Sequence, residues 1–179
     1  MLLAVVIVTF GSLGTAADNS HYEKTAGFKA GLIAPGTSHR VDVEYSTNAG
    51  YSLSLFVDYA VRPTIYVGFS FDLHQIVFDS DKEVLPELSF TMKAKLQGSK
   101  QGVIFKPGVG IGYGFIREIL SLKAAHFLIV KATGEVAIPV SQKSALLFEA
   151  SMIGSPLGGN KSTRLTAGPM LLLRAGVTI

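Results

Sequence analysis

Residues 51–73 read YSLSLFVDYAVRPTIYVGFSFDL. Large apolar side chains occupy alternate positions over 51–59 and again over 65–73, and the residues between them are mostly small or polar. Because successive residues of a β-strand point to opposite faces, this period of two on both sides of Val61–Thr64 predicts a β-hairpin. Each strand is about ten residues long, which is close to what a tilted strand needs to cross a bilayer. The stretch therefore predicts two strands of a transmembrane barrel.

The same alternation recurs along the rest of the chain. It predicts six further strands: Gly27–Leu32, Glu87–Leu96, Gly102–Phe115, His126–Ile138, Ser144–Ile153 and Arg164–Ile179. The connections alternate between long and short, as they do in outer-membrane barrels with long outer loops and short periplasmic turns. The predicted fold is all-β, an eight-stranded antiparallel up-and-down transmembrane β-barrel in which no strand edge is left unpaired.

The four long connections are predicted to lie outside the membrane, near residues 36–49, 76–85, 116–125 and 154–163. The first has an alternation of its own over His39–Asn48, so it either projects as a ladder beyond the membrane or begins the second strand early. Ile116–Ala125 has a composition that could hold a helical turn. In the sixth predicted strand, Phe127 and Ile129 stand on the polar face, against the pattern.

Composition narrows the class of protein. The chain has 179 residues, of which 48% are hydrophobic and 16% charged, against about 25% charged in ordinary soluble domains. It has no Cys, which excludes a disulfide scaffold or a thiol-ligated metal. A net charge of +3 without a basic run argues against nucleic acid as a partner. The four His residues are too scattered to predict a metal site, and no motif predicts a cofactor.

The N-terminus has the features of an export signal. Leu2–Phe10 is an apolar core, and small residues up to Ala17 follow it. The apolar stretch is shorter than the roughly 20 residues of a transmembrane helix. We therefore expect residues 1–17 to be a signal peptide and residues 18–179 to form the barrel domain.

The second face of the predicted strands is rich in Gly, Ser, Ala and Thr, and it also carries the charges. Small side chains are needed where eight strands crowd a narrow interior, so this face is predicted to line the lumen and the apolar face to meet lipid. Charges of both signs there predict a structural lumen charge network, because a buried charge without a partner is costly. Its members are Lys29, Asp58, Asp72, Lys93, Lys95, Lys106, Lys131, Glu135, Glu149 and Arg174. A soluble lipocalin-like binding barrel, with the apolar face inward, is the alternative.

Three segments carry a resemblance to a known family: FKPGVGIGYGF (105–115), KATGEVAIPVS (131–141) and TAGPMLLLRAGVTI (166–179). They resemble the outer membrane protein β-barrel superfamily, in particular the small porin-family or surface-antigen barrels of Gram-negative bacteria. The resemblance implies residence in the bacterial outer membrane, contact with outer-membrane lipid and lipopolysaccharide, and insertion by the barrel-assembly machinery. Such barrels typically end in an aromatic residue, whereas this chain ends in Ile179.

Three functional classes follow from these observations. A structural or surface-interaction role through the outer loops is favoured over a narrow channel for ions or small apolar solutes and over a lipid A-modifying enzyme. Ser70, Asp72 and His74 share a strand face, but residues two apart on a strand lie about 7 Å apart, which argues against a catalytic triad. His126 has Glu135 and Glu149 as its candidate acidic partners, without a nearby Ser. No catalytic residue is therefore predicted, and the protein is not expected to be an enzyme.

Overall fold

The computed structural model describes residues 24–40, 43–78, 81–97, 102–119, 122–141 and 144–179. Nearly all of these residues are in β-strands. The strands are β1 (Lys24–Ile33), β2 (Gly36–Arg40), β3 (Val43–Thr47), β4 (Gly50–Arg62), β5 (Ile65–Phe78), β6 (Asp81–Ala94), β7 (Leu96–Gln97), β8 (Ile104–Ile119), β9 (Leu122–Pro139), β10 (Ala145–Gly159) and β11 (Leu165–Thr178). Within these ranges no helix is long and apolar enough to cross a membrane.

Eight strands form a closed antiparallel ring in the order β1, β4, β5, β6, β8, β9, β10, β11, and β11 pairs back onto β1. The predicted up-and-down barrel of eight strands is confirmed. The short strands β2 and β3 continue the first hairpin: Ile33 pairs with Gly50 in β1–β4, and Gly36 pairs with Thr47 in β2–β3, in the same register. The alternation within 39–48 is therefore a ladder that extends the first hairpin.

The predicted outer connections are mostly strand, which corrects the loop assignments. Pairing continues to Phe78 with Asp81, to Ile119 with Leu122, and through a bridge from Gly159 to Arg164. The outer connections expected near 76–85 and 116–125 are paired strands over their described residues, without the helical turn, and near 154–163 the strand continues to Gly159 before a turn. In these hairpins the inward-facing residues are apolar as well. The alternation of apolar and polar residues therefore no longer marks the strands there. We call the end with these hairpins the outer end.

One pair of strands separates towards the outer end. The β6–β8 ladder runs from Lys93 with Gly108 to Glu87 with Gly114, and no pairing of these two strands beyond it is found among the described residues. The expectation that no predicted strand lacks a partner is confirmed, and the separation concerns only the outer extensions of β6 and β8 beyond Glu87 and Gly114. Leu85 and Ile116 pack in one buried apolar cluster inside the barrel, so side-chain packing holds the two hairpins together where the ladder stops.

The lumen is filled in three layers. At the inner end lies a small apolar cluster made by Phe56, Ala137 and Leu147. The middle holds the charged side chains. Above them is an outer apolar chamber, which we define by two buried clusters: Ile76, Phe78, Leu85, Ile116, Ala125, Phe127, Ile129 and Leu165, with Ile33, Ile153, Met170 and Leu172. Phe127 and Ile129, which break the alternation of the predicted strand, face inward because the lumen is apolar at that level.

The outside of the barrel is apolar around the ring. Leu55 on β4, Phe69 on β5, Leu88 on β6 and Val109 on β8 all point outward, and Leu88 is 65% exposed. In the middle of the same strands the charged side chains are buried in the lumen: Asp58, Asp72, Glu87, Lys93 and Lys106. This arrangement is the inverse of a soluble barrel, so the lipocalin-like alternative is wrong. A ring of exposed Leu, Val, Phe and Met side chains requires hydrocarbon around it.

Candidate functional site

The middle of the lumen holds an ionic layer. Among the described residues it consists of five buried cationic side chains, five buried carboxylates and one histidine. They are Lys29, Lys93, Lys106, Lys131, Arg174, Asp58, Asp72, Glu87, Glu135, Glu149 and His74. The formal charges of the five cations and five carboxylates cancel. An isolated charge in a low-dielectric interior costs several kcal/mol. Equal numbers of cations and carboxylates avoid this cost, because each buried charge can have a partner of opposite sign.

Glu135 and Glu149 stand directly opposite each other on β9 and β10. Two carboxylates facing across a ladder repel, unless cations lie between them. Lys29 reaches across from β1, and its Nζ lies 2.9 Å from Glu135 Oε2 and also donates to Glu149. Arg174 donates to Glu149 Oε1 through Nη2 at 2.5 Å and through Nε at 3.1 Å. The like-charged pair is therefore held by cations from two other strands.

A second group of charges lies closer to the outer chamber. Arg174 joins it to the first, because its Nη1 donates to Asp72 Oδ1 at 2.7 Å. Lys131 Nζ is 2.9 Å from Asp72 Oδ2 and 2.7 Å from Glu87 Oε1. His74 Nε2 is hydrogen-bonded to Glu87 Oε2 at 2.9 Å. Asp72 and Glu87 are opposite each other on β5 and β6, and Lys131 lies between them.

Lysines on the inner side of the layer also contact aromatic rings. Lys93 Nζ donates to Asp58 Oδ2 at 2.8 Å and to Glu135 Oε2 at 3.3 Å. Lys106 lies 3.7 Å from Glu135 Oε1, and its ammonium is 4.7 Å from the Tyr66 ring centroid. Contacts of this kind add to the stability of a desolvated cation.

Glycines on β8 leave the room that these long side chains fill. Gly108, Gly110, Gly112 and Gly114 face the lumen, where a Cβ on Gly110 would meet Thr91 Cγ2 at 2.6 Å and Lys131 Cγ at 3.3 Å. A Cβ on Gly112 would collide with the Glu87 carboxylate. The glycines of 108–114 thus leave the space in which the lumen side chains pack.

Nine of the ten residues of the predicted charge network lie buried in this layer. The tenth, Lys95, is half-buried near the inner end, where its Nζ is 3.2 Å from Tyr66 Oη. Lys106 contacts Glu135 and Arg174 contacts Glu149, whereas Lys131 contacts Asp72 and Glu87. Glu87 and His74 complete the layer, and both lie on the lumen face, where the alternation places them.

The outer group also brings together possible metal ligands. Asp72, His74 and Glu87 offer ligand atoms that lie within 4.8 Å of one another. Both carboxylates already contact Lys131, and Asp72 also contacts Arg174. A divalent ion would add two positive charges to a group whose charges are balanced, so the arrangement favours ion pairs over a metal centre.

The catalytic alternatives find no support in the geometry. Ser70 Oγ donates to Asp72 Oδ2 at 2.8 Å, so the expectation that residues two apart could not bond was wrong, because the side chains lean towards each other. His74, however, bonds Glu87 and is not part of a Ser–His–acid chain. His126 lies on the outer face, bonded to Tyr113 Oη and beside the Phe115 ring, and not near the lumen glutamates expected as its partners.

Solved structures with the same closed ring of strands establish the class. Neisserial surface protein A (NspA) superposes with a TM-score of 0.53 at 10% identity, covering 87% of this chain and 95% of that one. OprG from Pseudomonas aeruginosa gives 0.53 at 9% identity, covering 89% and 97%. The fold is that of an outer-membrane β-barrel. A major outer membrane protein from Thermus thermophilus shares this barrel with a TM-score of 0.52 at 15% identity, covering 88% and 99%. No protein-family model and no curated protein sequence matches the barrel.

Proposed function

We propose that the protein is an integral barrel of the bacterial outer membrane with a structural or surface-interaction role. The observation that carries this proposal is the contrast between the two faces of the wall. The outside is apolar around the ring, and the lumen is closed by a charge-balanced ionic layer between two apolar layers. Because the lumen is filled, the outer hairpins are the surface that partners would contact.

The filled lumen argues against the channel alternative. An eight-stranded barrel is just wide enough for its own side chains, and here lysines span it from wall to wall. An ion crossing the lumen would have to displace buried lysines such as Lys29, which contacts both Glu135 and Glu149. The known structures that share the fold are described as surface or outer-membrane proteins, and we propose no enzymatic activity for this one.

The proposal includes the environment and the biogenesis of the chain. Residues 1–17 are proposed to be removed on export, so that the mature barrel domain begins near Asp18. Lipopolysaccharide and other outer-membrane lipids surround the apolar outside, and the barrel-assembly machinery inserts the chain. Mass measurement of protein extracted from outer membranes tests the cleavage, because an uncleaved chain would retain the mass of the first 17 residues.

Cysteine labelling on intact cells tests the orientation. Asn160 lies in the exposed turn at the outer end, and Ser141 lies in an exposed turn at the inner end. Asn160→Cys should react with a membrane-impermeant maleimide, and Ser141→Cys should react only after the outer membrane is permeabilised. The reverse pattern contradicts the orientation, and no labelling of either variant contradicts surface exposure.

Conductance separates the structural role from the channel. The purified protein in planar bilayers should show no unitary conductance above the leak of the bilayer. Discrete openings by the unmodified chain would overturn the filled-lumen argument. Glu135→Ala serves as a positive comparison, because its removal vacates space in the middle of the ionic layer.

A further inference from the structure

The outer apolar chamber contains a cavity of about 30 Å³. Apolar side chains of six strands make most of its wall, among them Ile33, Phe127, Met170 and Ile129. Ala167 is a small residue of this wall, opposite the buried Ser155 of β10. The ladder is irregular at this point, with register shifts after Ile153 and after Gly154.

The floor of the cavity is His74, which belongs to the top of the ionic layer. Its side chain is fully buried, and its Nδ1 has no hydrogen-bond partner among the described residues. Buried polar atoms in native proteins almost always have a partner, so an unpartnered ring nitrogen beside a cavity needs an explanation. The two ring nitrogens point in divergent directions. Since Nε2 is held by Glu87, Nδ1 is directed away from the carboxylate.

The hydrogen bond to Glu87 determines what Nδ1 can bind. An ionised carboxylate accepts and does not donate, so Nε2 carries the proton of this bond. A charged imidazole would add a sixth cation to the five carboxylates of the layer, so the charge balance requires the neutral ring, whose Nδ1 lone pair needs a donor such as a hydroxyl group. The rest of the cavity wall is apolar, so it favours a ligand whose remaining atoms are hydrocarbon. One end of the cavity therefore requires an O–H group, and its remainder requires hydrocarbon.

We propose that this cavity is a binding site for a small apolar molecule with a hydroxyl group, which donates to His74 Nδ1. A water molecule needs about 10–15 Å³ of such space, so the ligand must be short, on the order of a few heavy atoms. The site is closed below by the ionic layer, so the ligand binds there and does not cross the barrel. It is a ligand site in the lumen, separate from the surface role of the hairpins.

Histidine ¹⁵N NMR of the folded protein in bicelles tests the site directly. Gln replaces His21, His39 and His126, so that the single labelled imidazole is His74. The probes are ethanol, 1-propanol and 1-butanol, and diethyl ether is the isomer of 1-butanol that cannot donate. We expect 1-butanol to shift the Nδ1 resonance saturably and diethyl ether to leave it in place. Each added methylene should tighten binding about fourfold until the cavity is full.

A matched pair of variants on β11 tests the position of the site. Ala167→Leu fills the cavity and should abolish the 1-butanol response, whereas Ala175→Leu makes the same change on the outer face and should retain it. Ser38→Val is a milder filling variant, since Ser38 is buried, lines the cavity and lies opposite Ala167 on the lumen side. It should weaken binding if Ala167→Leu fails to fold.

Three results would overturn the proposal. One is an Nδ1 resonance that is already hydrogen-bonded and does not respond to 1-butanol, which would mean that water alone occupies the cavity. Another is an equal response to 1-butanol and diethyl ether, which would mean that the alcohol acts through the bicelle. The third is an unchanged response in a folded Ala167→Leu or Ser38→Val variant, which would place the alcohol elsewhere.

Discussion

Removing the charge of Glu135 is the sharpest perturbation of the ionic layer. Its carboxylate accepts from Lys29 Nζ at 2.9 Å and Lys93 Nζ at 3.3 Å, and it lies 3.7 Å from Lys106 Nζ. Glu135→Gln keeps the volume and leaves five cations facing four carboxylates. Removing one partner of a buried ion pair lowers the free energy of unfolding by about 3–5 kcal/mol, because the remaining charge stays in a low-dielectric interior.

The expected loss converts into a measurable shift. With a urea dependence of about 2 kcal/mol per molar for a chain of this kind, a loss of 3–5 kcal/mol lowers the unfolding midpoint by about 1.5–2.5 M. Reversible urea unfolding in lipid vesicles, followed by circular dichroism and by mobility of unboiled protein on gels, measures this midpoint. The slope should be unchanged, since the same surface is exposed on unfolding.

Two matched variants separate charge from other effects. Ser151→Ala removes a buried hydroxyl that donates to Glu149 Oε1 at 2.7 Å, and it should cost about 1 kcal/mol. Glu44→Gln removes a carboxylate whose side chain is 60% exposed, and it should cost close to nothing. A Glu135→Gln midpoint equal to that of Glu44→Gln would refute the argument that the layer is a desolvated, balanced network.

A double variant tests the balance itself. Glu135→Gln with Lys106→Gln restores equal numbers of cations and carboxylates in the layer. It should be less destabilised than the sum of its single variants by about 0.5–3 kcal/mol. Strict additivity of the two changes would mean that the lysine and the glutamate do not interact across β8 and β9.

Further predictions concern the two faces of the wall. Leu55→Arg should lower the unfolding free energy in lipid vesicles by about 2–4 kcal/mol, because Leu55 points outward into the apolar band, whereas Ser54→Ala on the lumen face should cost much less. An equal loss of unfolding free energy in both variants would contradict the placement of lipid against the outer face of the barrel. Gly112→Ala should impair folding, measured as loss of the fast-migrating unboiled band, because its Cβ would collide with the Glu87 carboxylate. Gly134→Ala is the control, since its Cβ would meet its nearest atom, in the Phe105 ring, at 3.4 Å, and impairment of both variants equally would contradict the packing explanation.

The alternation of apolar and polar residues was by itself sufficient to predict the fold and the residues that face the lumen. Residues 51–73 predicted a hairpin, and the structure has β4 and β5 there, joined by the turn at Pro63 and Thr64. The period of two was sufficient because each membrane-crossing residue faces either hydrocarbon or the lumen, and the two environments select different side chains. The same sorting placed nine of the ten predicted charges in the ionic layer.

The ends of the strands could not be predicted in this way. Above the apolar band, residues such as Phe127 and Ile129 face an apolar lumen, so polarity no longer distinguishes inside from outside. The sequence pattern therefore stops at the band, while the hydrogen-bonded ladder continues to Gly159 in β10. Hairpin pairing depends on backbone geometry, which the alternation of side chains does not record.

Pairing within the ionic layer was decided only by the tertiary structure. Lys29 is 106 residues from Glu135 in the chain, and Arg174 is 102 from Asp72. Strand parity gives the face on which a charge lies, but not its height in the barrel or which long side chain reaches across. Those depend on the register of all eight strands and on closure of β11 against β1. Closure also creates the cavity above His74, whose lining comes from strands distant in sequence.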